Sequence, residues 1–248
     1  MTVAPSVPVR DAVILAAGNG DRFQNSTRES KLLQRVLGQP LIIRTVTGAV
    51  EAGITRLHVV VGYQAERVRA VIEAGAPRGV ALTFTLNPDW HLENGVSARA
   101  VGNRLSDRRF ALLMGDHLFE PHVLEGLLRA PARADESLLA VDVRPALPQV
   151  AAEATKVQLA GDRIVAIGKD LDRYDALDTG LFVCAPPLFG ALDEARQAGD
   201  TTLSGGIRRL AARGLMRAHD IGDAGWYDID TVDDLESAEA ILALPEHV

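Results

Sequence analysis

The chain has a single cysteine, Cys184, among its 248 residues. No intrachain disulfide can form, and a cysteine-built zinc cage is excluded. Aromatic residues supply only 4% of the chain, whereas hydrophobic residues of all kinds supply 47%. A sizeable core must therefore come from Leu, Val, Ile and Ala. No apolar run approaches the roughly 20 residues of a membrane span. Residues 1–10, MTVAPSVPVR, lack the apolar centre of a secretory leader and read as an extended arm ahead of one domain over 11–248. Basic excess is missing too: 26 Lys and Arg face 33 Asp and Glu, for a net charge of −7. That balance argues against general nucleic-acid or membrane-surface binding, both of which need a basic face. The expectation is a cytoplasmic protein with no nucleic-acid partner and no membrane insertion. If it handles a polyanion, it does so with local cations and a divalent metal.

Two common phosphate loops are also absent. The dinucleotide pattern G-x-G-x-x-G fails at Phe23, and no Gly-Lys-Ser/Thr run occurs. What is present is an apolar run from Ala12 to Ala17 that stops at Gly18-Asn19-Gly20, with Arg22 and Lys31 in the polar segment that follows. Two glycines allow a sharp turn with exposed backbone N–H groups, and the cations add fixed positive charge beside it. A strand running into such a turn suits a nucleoside triphosphate.

Periodicity then predicts a helix over 40–52, a strand over 57–62, a helix over 64–74 and a strand over 80–86. This βαβαβ alternation points to a parallel sheet covered by helices on both faces. Asn94-Gly95 signals a turn before a helix over 96–105, in which Ser97 is either a cap or a group facing a nucleobase. The strand over 110–114 delivers Gly115-Asp116-His117 at its carboxyl end, where open α/β sheets bind ligands. Asp116 there is a turn residue or a carboxylate for a hard cation. A helix over 121–129 and a strand over 138–143 follow. With Pro145 and Pro148, residues 144–152 read as a loop. The arms 153–159 and 163–168 read as a hairpin turning at Ala160-Gly161-Asp162. Asp178-Thr179-Gly180 precedes a strand over 181–184, and helices over 187–198 and 203–213 lead to a strand over 215–221. The last string is Trp226-Tyr-Asp228-Ile-Asp230-Thr231, with Thr231 as N-cap of a helix over 232–242.

The string L-A-A-G-x-G-x-R followed by Lys31 resembles the signature of the sugar-phosphate nucleotidyltransferase family, with Ser30 standing where the family usually has proline. The order of motifs extends that resemblance over about residues 11 to 243. It implies a GT-A-like α/β fold: one Rossmann-like, mostly parallel sheet flanked by helices, with a β-hairpin insertion in the acceptor-binding half. It also implies roles. Ala16, Ala17, Gly18, Asn19 and Gly20 wrap the nucleotide, Arg22 and Lys31 neutralise its phosphates, and Asn94, Gly95 and Ser97 face its base. Asp116, Asp228 and Asp230 hold Mg²⁺ near the α-phosphate, and Lys169 joins Arg22 and Lys31 as a catalytic cation by holding the acceptor phosphate. His117, Glu153, Thr155, Lys156, Asp178, Thr179 and Gly180 meet the rest of the acceptor. Three strings are more particular: Met114-Gly-Asp-His117, Glu153-Ala-Thr-Lys156, and Gly168-Lys-Asp-Leu171 with Asp178-Thr-Gly180. Together they resemble cytidylyltransferase domains that convert CTP and inositol 1-phosphate to CDP-inositol and pyrophosphate. Other small phosphate acceptors stay open at this point, among them phosphocholine, a phosphonate, a cyclitol phosphate and a sugar 1-phosphate. So does a non-catalytic nucleotide sensor. A molybdenum-cofactor pterin acceptor fits the acceptor strings poorly. Relatives often pair, so a homodimer is a further expectation.

Overall fold

The structure, a computed structural model, describes residues 8–20, 29–145 and 148–242. Strand β1 (Asp11–Ala16) is followed, after a 3-10 turn at Lys31–Leu33, by the short strands β2 (Arg35–Val36) and β3 (Gln39–Pro40). Next come α1 (Leu41–Glu51), β4 (Arg56–Val61), α2 (Ala65–Gly75), β5 (Ala81–Leu86), α3 (Asn94–Ala100) and α4 (Gly102–Leu105). The middle of the chain forms β6 (Phe110–Met114), β7 (His117–Phe119), α5 (Pro121–Arg129), β8 (Ser137–Asp142) and α6 (Pro148–Glu153). The rest comprises β9 (Lys156–Ala160), β10 (Arg163–Gly168), β11 (Ala176–Cys184), α7 (Pro187–Gln197), α8 (Leu203–Ala212), β12 (Met216–Asp220), β13 (Trp226–Asp228) and α9 (Val232–Leu242).

Nine strands make one sheet in the order β5-β4-β1-β6-β11-β8-β12-β10-β9. Its first four strands are parallel, as the alternating pattern predicts. The sheet as a whole is mixed rather than mostly parallel, because β11 runs antiparallel to both β6 and β8. Beyond β8 only β12 is parallel to its neighbour; β10 and β9 are antiparallel. β9 also pairs with the start of β11, so this half of the sheet curls back on itself. Of these antiparallel pairs only β9–β10 is a hairpin, joined by the short turn at Gly161.

Both sheet faces are covered. Ile42, Val46, Val68, Ile72, Leu124 and Leu127 pack from α1, α2 and α5 on one face. Ala98, Leu105, Leu188, Leu192, Ile207 and Leu210 pack from α3, α4, α7 and α8 on the other. Each fully buried Leu or Ile stabilises the fold by roughly 2 kcal/mol relative to exposure. Phe110 and Phe189 stack at 5.4 Å, one of few aromatic pairs in a largely aliphatic core. Among the described residues no helix is long and apolar enough to cross a membrane.

Several sequence expectations change. The helix expected over 96–105 breaks at Val101 into α3 and α4. The loop expected over 144–152 contains α6, whose first residue Pro148 suits a helix start, where its missing N–H would have no partner anyway. Glu153 therefore ends a helix instead of opening a hairpin arm. Asp178-Thr179-Gly180 lies inside β11, at a register break between Asp178 and Phe182, rather than ahead of the strand. The hairpin turn itself is as expected, with Gly161 at φ +65°.

At the opposite end of β1, Asp11 is 3% exposed. It accepts hydrogen bonds from Arg56 Nε at 2.8 Å and Nη2 at 2.6 Å, and lies 3.0 Å from His58 Nε2. The Arg56 contact outweighs burial and holds the Asp11 carboxyl below its ordinary value of 3.8. A depressed folded-state pKa adds stability that is present above 3.8 and lost as pH falls through the lower folded value. Asp11→Asn should thus lower the urea midpoint at neutral pH, and its gap from wild type should narrow as pH drops below 3.8. A gap that stayed constant with pH would rule out the linkage.

Candidate active site

The candidate site lies where β1 and β6 end. Ala16 and Ala17 are buried at the end of β1, and the Ala17 carbonyl accepts from Tyr63 N at 2.9 Å. Gly18 is exposed, and Asn19 and Gly20 are partly so. Gly20 sits at φ +64°, and a Cβ there would lie 2.9 Å from Lys31 Cβ. Glycine is required because the loop rests directly on Lys31. Arg22 lies outside the described residues. Ser30, in the family's usual proline position, adopts φ −55°, a value proline would impose, and its N–H donates to Gln64 Oε1 at 3.3 Å.

Lys31 is 6% exposed. Its Nζ lies 2.6 Å from Asp116 Oδ2 and 2.9 Å from Asp230 Oδ1. Burial alone would lower its pKa. Asp116, then Asp230 and Asp228, overcome that and raise it, so the ammonium stays charged. Burial likewise pushes the Asp116 carboxyl up, but Lys31 and then His117 bring it below the ordinary carboxylate range. The Gly115-Asp116-His117 turn is braced by buried Thr45 of α1, whose hydroxyl lies 3.1 Å from Gly115 O and 3.2 Å from His117 O.

β7 and β13 form a two-stranded ribbon that pairs Asp228 with His117. His117 Nε2 lies 3.3 Å from Asp228 Oδ1 and 3.8 Å from Asp116 Oδ1, and its Nδ1 donates to Thr179 O at 2.8 Å. Burial would lower the His117 pKa. Asp228, Asp116 and the Thr179 carbonyl outweigh it and hold the imidazole at about 10. Asp178 has no comparable cation beside it. Burial, only partly offset by the Gly180 N–H and His117, leaves it at about 6.

Among the described residues, atoms of Asp116, His117 and Asp228 lie within 4.8 Å of one another. Paired carboxylates of this kind suit a hard divalent cation. Lys31 already seats a positive charge against Asp116. With its pKa held at about 10, His117 adds a second positive charge beside the two carboxylates. Asp230, expected beside the metal, accepts from the same Lys31 Nζ at 2.9 Å.

The expected base-facing residues are largely occupied with the protein itself. Asn94 Oδ1 accepts from Leu203 N at 2.9 Å, tying α3 to the start of α8. A Cβ on Gly95 would lie 2.6 Å from Thr201 O, so its missing side chain makes room for protein backbone rather than for a flat base. Ser97 is 5% exposed, and its hydroxyl accepts from Asn87 Nδ2 at 2.9 Å.

On the acceptor side, Lys156 Nζ donates to Lys169 O at 2.9 Å and lies 5.8 Å from the Tyr174 ring centre. Lys169 and Glu153 are exposed, and the Thr155 carbonyl accepts from Asp178 N at 2.9 Å. Thr179 is fully buried, and its hydroxyl donates to Ala140 O at 2.8 Å. It therefore cannot offer that hydroxyl to an acceptor, contrary to expectation, and contributes through the carbonyl that fixes His117. Sequence reasoning also passed over Thr45, Asp142 and Trp226. Trp226 Nε1 donates to Asp142 Oδ2 at 2.9 Å, and its ring centre lies 6.2 Å from that of His117. The Trp-x-Asp spacing was a visible signal for Trp226, and an acid closing the apolar run of β8 was one for Asp142. Thr45 gave none beyond its place on a buried helix face.

A glycine loop at the end of a parallel strand, a buried lysine, and two carboxylates from separate elements thus meet at the strand ends. The chain belongs to the MobA-like NTP transferase domain family, which matches residues 12–212. A bifunctional IPC transferase and DIPP synthase from Rubrobacter xylanophilus is 38% identical over 234 residues, covering 93% of this chain and 51% of that protein. A CMP-5'-(3-aminopropyl)phosphonate synthase from Streptomyces rubellomurinus is 33% identical over 261 residues, covering 97% of this chain and 40% of that protein. The chain spans about half the length of the curated relatives it matches. The solved structure of the inositol-1-phosphate CTP transferase from T. maritima is similar over 96% of both chains, with a TM-score of 0.83 and 26% identity.

Proposed function

We propose that the chain transfers a cytidylyl group from CTP to inositol 1-phosphate, giving CDP-inositol and pyrophosphate. The likeness to the inositol-1-phosphate CTP transferase, extending over 96% of both chains, is the observation that carries this reading. An oxygen of the acceptor phosphate attacks the α-phosphorus in line, and the bond to the pyrophosphate oxygen breaks. Such chemistry asks for positioning and charge neutralisation more than for covalent participation.

Asp116 and Asp228 would hold Mg²⁺, which when bound offsets charge on the α-phosphate. Lys31 and Arg22 neutralise the triphosphate and the leaving group. The loop from Ala16 to Gly20 wraps the nucleotide. Lys169 takes the acceptor phosphate. Glu153, Thr155, Lys156 and Asp178 read polyol hydroxyls, while Thr179 and Gly180 support His117. A pocket that pairs with hydroxyls rejects analogues lacking them by about 10⁴-fold.

The test crosses four nucleoside triphosphates with a panel of small phosphates and follows pyrophosphate release with Mg²⁺. Release with CTP and inositol 1-phosphate alone is expected. The similarity to an aminopropyl phosphonate synthase supports a second reading, in which the acceptor is a phosphonate. Turnover with a phosphonate and none with inositol 1-phosphate would select it. Mg²⁺-dependent CTP binding with no release from any pair would instead indicate a nucleotide sensor.

A further inference from the structure

Asp142 ends β8, and Arg144 follows it by two residues; neither is among the groups assigned to the reaction. Asp142 is 9% exposed, yet its two oxygens accept four hydrogen bonds. Oδ1 accepts from Arg144 N and Nε, both at 2.9 Å. Oδ2 accepts from Arg144 Nη2 at 2.7 Å and from Trp226 Nε1 at 2.9 Å. The guanidinium also reaches past the carboxylate. Its Nη1 donates to Asp223 O at 3.0 Å and its Nη2 to Ala224 O at 2.9 Å. The pair therefore grips residues 223, 224 and 226. Because the two side chains neutralise each other, the grip supplies geometry and no net charge.

The gripped residues lead into β13, which forms a separate two-stranded ribbon with β7. Two strands of three residues each are too short to hold a register unaided. A slip of one residue would turn Asp228 away from His117. The exit of the ribbon is tied by Ile229 N, which donates to Asp116 O at 3.3 Å, and by His117 Nδ1 on Thr179 O. At its entry, Gly225 N donates to Glu120 Oε1 at 2.7 Å, but Glu120 directly follows β7 and moves with the ribbon. Asp142 and Arg144 instead extend from β8 of the nine-stranded sheet, so they anchor the entry to the rigid part of the fold.

We propose that Asp142 and Arg144 are positioning residues that set the register of β13 and so aim Asp228 at His117 and the active site. This rests on the nucleotidyl-transfer reading only in counting Asp228 among the groups of the reaction; the identity of the acceptor plays no part.

The test combines hydrogen exchange with steady-state kinetics on the full-length protein. Wild type is compared with Arg144→Gln and Arg144→Lys, and thermal melts check the folding. Asp142→Asn, which loses the paired contact but keeps an acceptor for Trp226, replaces Arg144→Gln if the latter does not fold. Without the fork, exchange over residues 117–119 and 226–228 should quicken by about tenfold, while β1, β4 and β6 keep their protection. Turnover should fall by about 10²-fold, with KM for CTP changed by less than about threefold, because the glycine loop and Lys31 are untouched. Arg144→Lys should behave like Arg144→Gln, since one ammonium cannot span the carboxylate and both loop carbonyls. Full recovery with lysine would make charge the cause and overturn the proposal. So would exchange that is unchanged, exchange that quickens evenly across the sheet, or normal turnover despite a loosened ribbon. A wild type that turns over no substrate pair would defeat the nucleotidyl-transfer reading, and the exchange pattern would still decide whether Asp142 and Arg144 hold the ribbon.

Discussion

Asp116→Asn should lower turnover by about 10³-fold, as expected when a group that holds a catalytic cation over developing phosphate charge is neutralised. Asparagine keeps the shape of the side chain and an oxygen that accepts from Lys31, so the fold should survive. Lys31 retains Asp230 at 2.9 Å, which spares it from becoming an unpaired buried charge. The Gly115-Asp116-His117 turn also keeps its brace, since Thr45 contacts the backbone carbonyls of Gly115 and His117 rather than the carboxylate. A thermal melt within a few degrees of wild type, together with the collapse in pyrophosphate release, is the expected pair of results. A well-folded variant with near-normal turnover would take Asp116 out of the metal site.

Gly180→Ala should damage both stability and activity. Gly180 sits at φ +74°, which costs an L-residue about 1–2 kcal/mol. The added Cβ would lie 2.3 Å from His117 Nδ1, 2.4 Å from its Cε1 and 3.0 Å from Met114 Cγ. The ring has little freedom to yield, because Nδ1 is bound to the Thr179 carbonyl and Nε2 faces Asp228. Overpacking of this sort costs roughly 1–3 kcal/mol on top of the backbone strain. A displaced His117 would unsettle Asp228, so turnover should fall by about 10²-fold, in line with the cost of misplacing a catalytic group. Gly161→Ala is the matched control: it has φ +65° but no atom within 4 Å of the new Cβ. It should lose about 1–2 kcal/mol with activity intact. Similar losses of activity in both variants would show that strain alone, not the His117 contact, is responsible.

Much of this architecture was legible because its signals are local. The parallel half of the sheet follows from apolar runs separated by amphipathic helices, and α1 buries Ile42, Val46 and Ala49 on the face its periodicity requires. Thr231 caps α9 as its type and position suggest, since the hydroxyl accepts from Asp234 N three residues on. The misread segments had conflicting local signals. Two prolines made residues 144–152 look like a loop although Pro148 begins α6. Asp178-Thr179-Gly180 was placed ahead of its strand because a bulge with a glycine at positive φ breaks the apolar run of β11 there.

The sequence by itself determined the kind of chemistry: a glycine loop, a lysine after it, an acid at a strand end and a Trp-x-Asp-x-Asp string near the end, in a chain too acidic to bind a polyanion without local cations. Only the tertiary structure decided how these charges are distributed. β7 and β13 are three-residue strands with no periodicity to read, yet their pairing sets Asp228 against His117. Lys31 and Asp230 meet across 199 residues of chain. The strand stops at Asp228, and Asp230 lies in the cap of α9, where its N–H donates to Asp234. That arrangement depends on long-range packing, which sets Asp228 against His117 and Asp230 against Lys31.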